Sequence, residues 1–176
     1  DAAYSLHVQN SLEFTSTVIR LRYEALNRPA QVRQLTLADG TQAVLKETPV
    51  EGPFDADAYE SRRIWETAQD GTQIPISLVG RRDSFGKPAP LYLYGYGAYG
   101  HSLDPWFSHA RLSLLDRGFV FAIAHVRGGG DLGESRDLPG IGGVVDHLRG
   151  GEMAHHQPNA GSRDHPALLA RQIEPF

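Results

Sequence analysis

The sequence predicts antiparallel β structure followed by an α/β layer. Three observations carry this expectation: strict alternation over residues 17–24, two Asp-Gly pairs each flanked by strand-like runs, and two nearly continuous apolar runs, "PLYLYGYG" and "FVFAIAHVR", on either side of a helical pattern. Alternation marks a strand with one buried face, whereas a continuous apolar run marks a central strand covered on both. Strand, helix and strand in that order indicate an α/β layer.

Taken in order, Thr17, Ile19, Leu21 and Tyr23 alternate with Val18, Arg20, Arg22 and Glu24, and Pro29 is expected to break the run. "VRQLTL" and "QAVLKE" flank Asp39-Gly40, a hairpin signal, so residues 1–51 read as a β meander. Residues 52–57, "GPFDAD", make a linker. "ESRRIWETAQ" and "QIPISLVGRR" then bracket Asp70-Gly71, a second hairpin. In the helix, Asp104 is placed as N-cap and Pro105 at the first helical position. Phe107, Ala110, Leu114 and Leu115 share a face, and Gly118 ends it.

Residues 135–176 differ in character. Phe176 is their sole aromatic residue, yet they hold four of the chain's 11 prolines and four of its eight histidines. Val144, Val145 and Leu148 could form one amphipathic turn, as could residues 167–173; the rest is expected to be an irregular tail, disordered or read in a shifted frame.

Composition excludes several classes. The 40% hydrophobic content suffices for a core, and a net charge of −4 leaves no basic stripe for nucleic acid. No window approaches the roughly 18 apolar residues of a membrane span. The first residues lack a basic and then apolar leader, so no membrane association is expected. With zero cysteines there is no disulfide framework, thiol nucleophile or thiolate metal site, which fits a cytoplasmic protein. His147, His155, His156 and His165 have no i, i+4 pairing on a helix and are read as solvated, so neither metal nor cofactor is expected.

"LYLYGYGAYGHS" contains Gly95-x-Gly97-x-x-Gly100, and "HVRGGGDLGE" repeats the pattern at Gly128, Gly130 and Gly133. A pyrophosphate site needs such glycines to open directly into a helix. Here the expected helix starts four residues after Gly100, bulky Tyr96 and Tyr99 fill the variable positions, and Asp131 adds a carboxylate. The alternative is a loop at the carboxyl edge of the sheet that presents tyrosine hydroxyls, which can donate to a developing oxyanion.

"LYLYGYGAYG", "RLSLLDRGFVFAIAHVRGGGDLGE" and "YSLHVQNSLEFTSTVIRLRYEAL" together resemble the prolyl oligopeptidase family of serine peptidases, the oligopeptidase B branch above all. The resemblance covers residues 1–134. It implies the end of a β-propeller and crossover strands over residues 1–51, then the N-terminal part of an α/β-hydrolase domain over 52–134. It makes Tyr96 the oxyanion tyrosine and Asp104 a ligand for the basic side chain of short peptides cleaved after Lys or Arg. The second acid of that pair is replaced by Trp106. Arg127 and the glycines after it read as a structural turn.

The triad is absent. No serine here stands in a Gly-x-Ser-x-Gly elbow, and Ser162, Asp164 and His165 are too close in sequence to form one. Two readings follow: a piece of a serine oligopeptidase, inactive alone, or a non-catalytic interaction module derived from the same fold.

Overall fold

In a computed structural model of the chain, the structure describes residues 1–68, 70–97, 99–130 and 169–173. The first sheet is a meander of β1 (Tyr4–Val8), β2 (Val18–Ala25), β3 (Arg28–Thr36) and β4 (Gln42–Glu47), antiparallel throughout. The alternation in β2 works as the sequence requires: Leu21, Tyr23 and Ala25 are buried while Arg20 and Arg22 face solvent. At the β3–β4 hairpin Gly40 adopts φ 74°, and Asp39 Oδ1 accepts the Thr41 N–H at 2.9 Å, closing the turn.

Pro29 does not break the run. The turn falls at Leu26 and Asn27, and Pro29 is the second residue of β3. It sits where the β2–β3 register shifts and ahead of the first β3–β4 pair at Gln31, a place where no ladder N–H is demanded of it.

The second sheet has β5 (Tyr59–Thr67), β6 (Gln73–Arg81), β7 (Ala89–Gly95), β8 (Val120–Ala124) and β9 (Leu169–Ile173) in the order β5-β6-β8-β7-β9. The β5–β6 hairpin turns at Asp70-Gly71 as the sequence indicates, with Gly71 at φ 85°. β7 and β8 pair in parallel, joined through the single described α-helix, α1 (His109–Leu115). The remaining neighbours are antiparallel. β8 is buried at every position, which explains its unbroken apolar run.

Each face of this sheet carries a core. Ile74, Ile76, Leu78, Leu91, Leu93, Val120 and Ala122 form one cluster. Val79, Phe121 and Ile123 form the other, together with Leu115 of α1, Ala3 just ahead of β1 and Leu26 in the β2–β3 turn. The second cluster therefore joins the two sheets, an arrangement of propeller-derived strands preceding the start of an α/β-hydrolase sheet.

Two expectations are corrected. The helix begins at His109 rather than after Asp104, with Ser108 as N-cap and no side-chain capping bond. Its buried residues are Arg111 and Leu115, and Ala110 is exposed, so the inward face is rotated from the expected one. The helical turn expected over residues 167–173 does not form where the structure describes it: Leu169–Ile173 is a strand on β7. An open strand edge offers a row of unpaired backbone groups, and pairing satisfies them. The turn expected at Val144, Val145 and Leu148 lies outside the described residues.

Ile123 of β8 is 0% exposed, packed in the helix-side core with Val79 and Leu115. Ile123→Ala is expected to cost about 2–5 kcal/mol, read as a lower urea midpoint, whereas Val8→Ala on the exposed edge strand should stay within about 0.5 kcal/mol.

Candidate active-site loop

Tyr92, Tyr94 and Tyr96 alternate with Leu91 and Leu93, so the strand period sends the leucines to one core and the tyrosines to the helix side. β7 ends at Gly95, and the chain turns at the carboxyl edge of the parallel β7–β8 pair. Tyr96 is the first residue past the strand. Its ring is half-buried against the helix-side core and lies edge-on to His101, with centroids 6.2 Å apart. Its hydroxyl has no hydrogen-bond partner among the described residues.

The glycines serve backbone contact rather than phosphate. A Cβ on Gly97 would lie 2.9 Å from the Val126 carbonyl oxygen and closer still to that of Arg127. The Gly100 N–H donates to the Gly128 carbonyl at 2.8 Å, and a Cβ on Gly130 would stand 3.1 Å from the Gly100 oxygen. The loop after β7 and the loop after β8 thus touch main chain to main chain. Tyr99, at φ 57° and 87% exposed, holds a left-handed conformation uncommon outside glycine at the tip of the turn.

Arg127 ties this pair of loops to the β5–β6 hairpin. Its guanidinium pairs with Asp70 and donates to Thr72 Oγ1 at 3.1 Å. The hydrogen bond from Arg127, with a smaller contribution from the Thr72 backbone N–H, lowers the Asp70 carboxyl to about 2.

Asp104 is exposed and caps no helix; its Oδ2 lies 3.7 Å from His7 Nε2 on β1. The helix starts late because the residues ahead of it are held by tertiary contacts. The Phe107 N–H donates to Glu24 Oε1 of β2 at 3.1 Å, and the Phe107 ring meets Phe54 edge-on at 5.3 Å. Trp106, where the resemblance has a second acid, packs edge-on against Tyr94 at 6.3 Å. Sequence reasoning missed Glu24, whose partner is 83 residues away, and it carries no local signal.

It also missed a buried serine–histidine contact. Ser77 Oγ lies 2.8 Å from His125 Nε2, and Arg63 donates to the same hydroxyl at 3.1 Å. At 0% and 2% exposure the pair is closed to substrate and joins β6 to the end of β8. His101 and His109 are exposed, as surface histidines. Among the described residues no group of histidines and acids could hold a metal ion; the tail histidines lie outside them.

No family model matches the chain. It is 41% identical over 138 residues to dipeptidyl aminopeptidase BI of Pseudoxanthomonas mexicana and 35% identical over 131 residues to Protease 2 of Moraxella lacunata, covering 77% and 74% of this chain. Among solved structures, oligopeptidase B from Leishmania major superposes with a TM-score of 0.66 at 40% identity over 76% of the chain. That from Trypanosoma brucei gives 0.66 at 38%. This stretch is homologous to the serine oligopeptidases of the prolyl oligopeptidase family. The homologue spans 19% of each of these relatives, and no Ser-His-Asp triad stands among its described residues. No described helix is long and apolar enough to cross a membrane.

Two outcomes test the loop architecture. Gly97→Ala forces Cβ onto backbone that cannot retreat and is expected to destabilise by roughly 1–3 kcal/mol. Gly100→Ala meets no neighbour but sits at φ 69°, and should cost about 1 kcal/mol. Because Asp70 is depressed in the folded state, its contribution is complete above the unfolded carboxylate value near ~3.9. It is lost as pH falls toward about 2. Thermal melts between these limits should show a decline that Asp70→Asn removes.

Proposed function

We propose that this chain is the oxyanion side of a serine oligopeptidase site. The reading rests on one observation: a tyrosine at the carboxyl edge of the parallel strand pair, its hydroxyl without a partner among the described residues, on a loop braced by backbone contacts. A braced donor loses little freedom when the carbonyl becomes an oxyanion, and one such donor contributes about 3–4 kcal/mol to acyl transfer. In this reading Tyr96 donates to the oxyanion and Asp104 attracts the Lys or Arg side chain of a short peptide. The nucleophile, its histidine and the orienting aspartate come from sequence other than these 176 residues, and the chain by itself is inactive. Residues 1–51 are then propeller end and crossover, 52–134 the beginning of the hydrolase domain, and 135–176 a tail foreign to the family, in a cytoplasmic enzyme that needs no cofactor.

The exposure of Asp104 supports a role at the surface, since its side chain is neither a helix cap nor in a core. Leu12 and Phe14 in the β1–β2 loop are fully exposed and would offer a partner two apolar side chains, the observation that bears on the second reading, an interaction module.

The discriminating experiment places residues 1–134 in Protease 2 of Moraxella lacunata in exchange for the segment they match. In an active chimera, Tyr96→Phe should lower kcat about 100-fold or more with little change in KM. Asp104→Asn should raise KM for substrates with Lys or Arg before the cleaved bond and leave neutral substrates unaffected. The isolated 176-residue chain should take up no fluorophosphonate probe. An unchanged kcat for Tyr96→Phe removes the oxyanion role.

A further inference from the structure

On the helix side of the second sheet, Tyr92, Tyr94, Trp106, Arg111, Leu114 and Phe121 line an open hollow of about 310 Å³. Its walls are mainly aromatic and aliphatic, with Ser108 on one side and one cation among them. Arg111 is only 6% exposed; one nitrogen donates to the Trp106 carbonyl at 2.9 Å, and the guanidinium lies 3.9 Å from the centre of the Phe121 ring. A guanidinium has five N–H donors, so this leaves most of its fork unused. Among the described residues no carboxylate lies within ion-pair distance. Arg127, whose side chain is also largely covered, is by contrast matched by Asp70. Desolvation pulls Arg111 down to about 10, so it remains a cation at neutral pH. A buried charge held by ring faces and one carbonyl is a costly arrangement unless a counter-charge arrives.

We propose that this hollow seats a carboxylate carried on an apolar segment of the peptidase domain that lies outside these 176 residues. Charge complementarity selects an acid, and the aromatic walls select apolar flanks around it. The length of the relatives supplies the source, because this chain spans 19% of them and so leaves most of a peptidase to pack against it. The proposal rests on the reading of the second sheet as the start of a peptidase domain. It needs no catalysis, so its test is independent of any activity assigned to Tyr96.

The test uses the full chain with Trp65→Phe, which leaves Trp106 as the sole tryptophan and places the reporter on the hollow. Overlapping synthetic peptides covering the part of Protease 2 of Moraxella lacunata that this chain does not match are titrated against its fluorescence. At least one acidic peptide should bind, and its Asp→Asn or Glu→Gln version should bind at least about tenfold more weakly. Arg111→Met should abolish this binding while raising the melting temperature of the free chain, since it exchanges an uncompensated charge for an apolar side chain. Arg111→Lys, with charge but no fork, should bind at intermediate strength and keeps the test open should the methionine variant not fold. Phenylacetate and phenylacetamide serve as small probes. Equal binding of acid and amide forms, or no binding by any peptide, overturns the proposal. So does binding of phenylacetate alone, which makes the hollow a small-molecule site, or self-association that phenylacetate disperses, which makes the occupant a second copy.

Discussion

The parallel ladder between β7 and β8 is the constraint on which the rest depends. Leu91 to Gly95 pair in register with Val120 to Ala124, and parallel strands cannot be joined by a tight turn. The chain must leave one end of β7 and return to the start of β8, and that crossover holds α1 and the residues from His101 to Ser108. Both strands consequently finish at the same edge. The loops that follow them are forced together, and only glycine at position 97 lets the backbones approach as closely as they do.

From that edge the contacts spread outward. Arg127 fastens the second loop to Asp70 and Thr72 of the β5–β6 hairpin, so the turn between two strands far away in sequence becomes a brace for the loop bearing Tyr96. Glu24 of the first sheet takes the Phe107 N–H, and Leu26 and Ala3 enter the core beneath β8. The propeller-derived strands are therefore part of the foundation of the candidate site. In the proposed role Tyr96 would be effective to the degree that it is already held in place, and these contacts supply that restraint without occupying its hydroxyl.

The helix side of the sheet is less complete. Around the hollow Tyr92 and Tyr94 are half-buried, Trp106 is exposed, and the buried Arg111 meets no carboxylate among the described residues, while the ladder and the opposite core are well satisfied. That contrast is the basis for the proposal that the hollow receives a carboxylate: apolar rings, a desolvated charge, and space between them.

The sequence by itself determined the elements whose cause is local. Alternation in β2, Asp-Gly turns with positive φ at Gly40 and Gly71, and the unbroken apolar run of β8 each follow from side-chain period or backbone freedom within a few residues. Likeness to a family, carried by the long runs around Tyr96 and Arg127, was also legible there, as was the lack of a nucleophile elbow. Only the tertiary structure decided where α1 starts, because the Phe107 N–H is claimed by a carboxylate 83 residues away and Asp104 is drawn toward His7 rather than into a cap. Pro29 and residues 169–173 followed their neighbouring strands over their local preferences. Nothing near Arg111 in the sequence marks it as a buried charge; its environment is assembled from two strands and a loop, and that environment exists only once the parallel pair has formed.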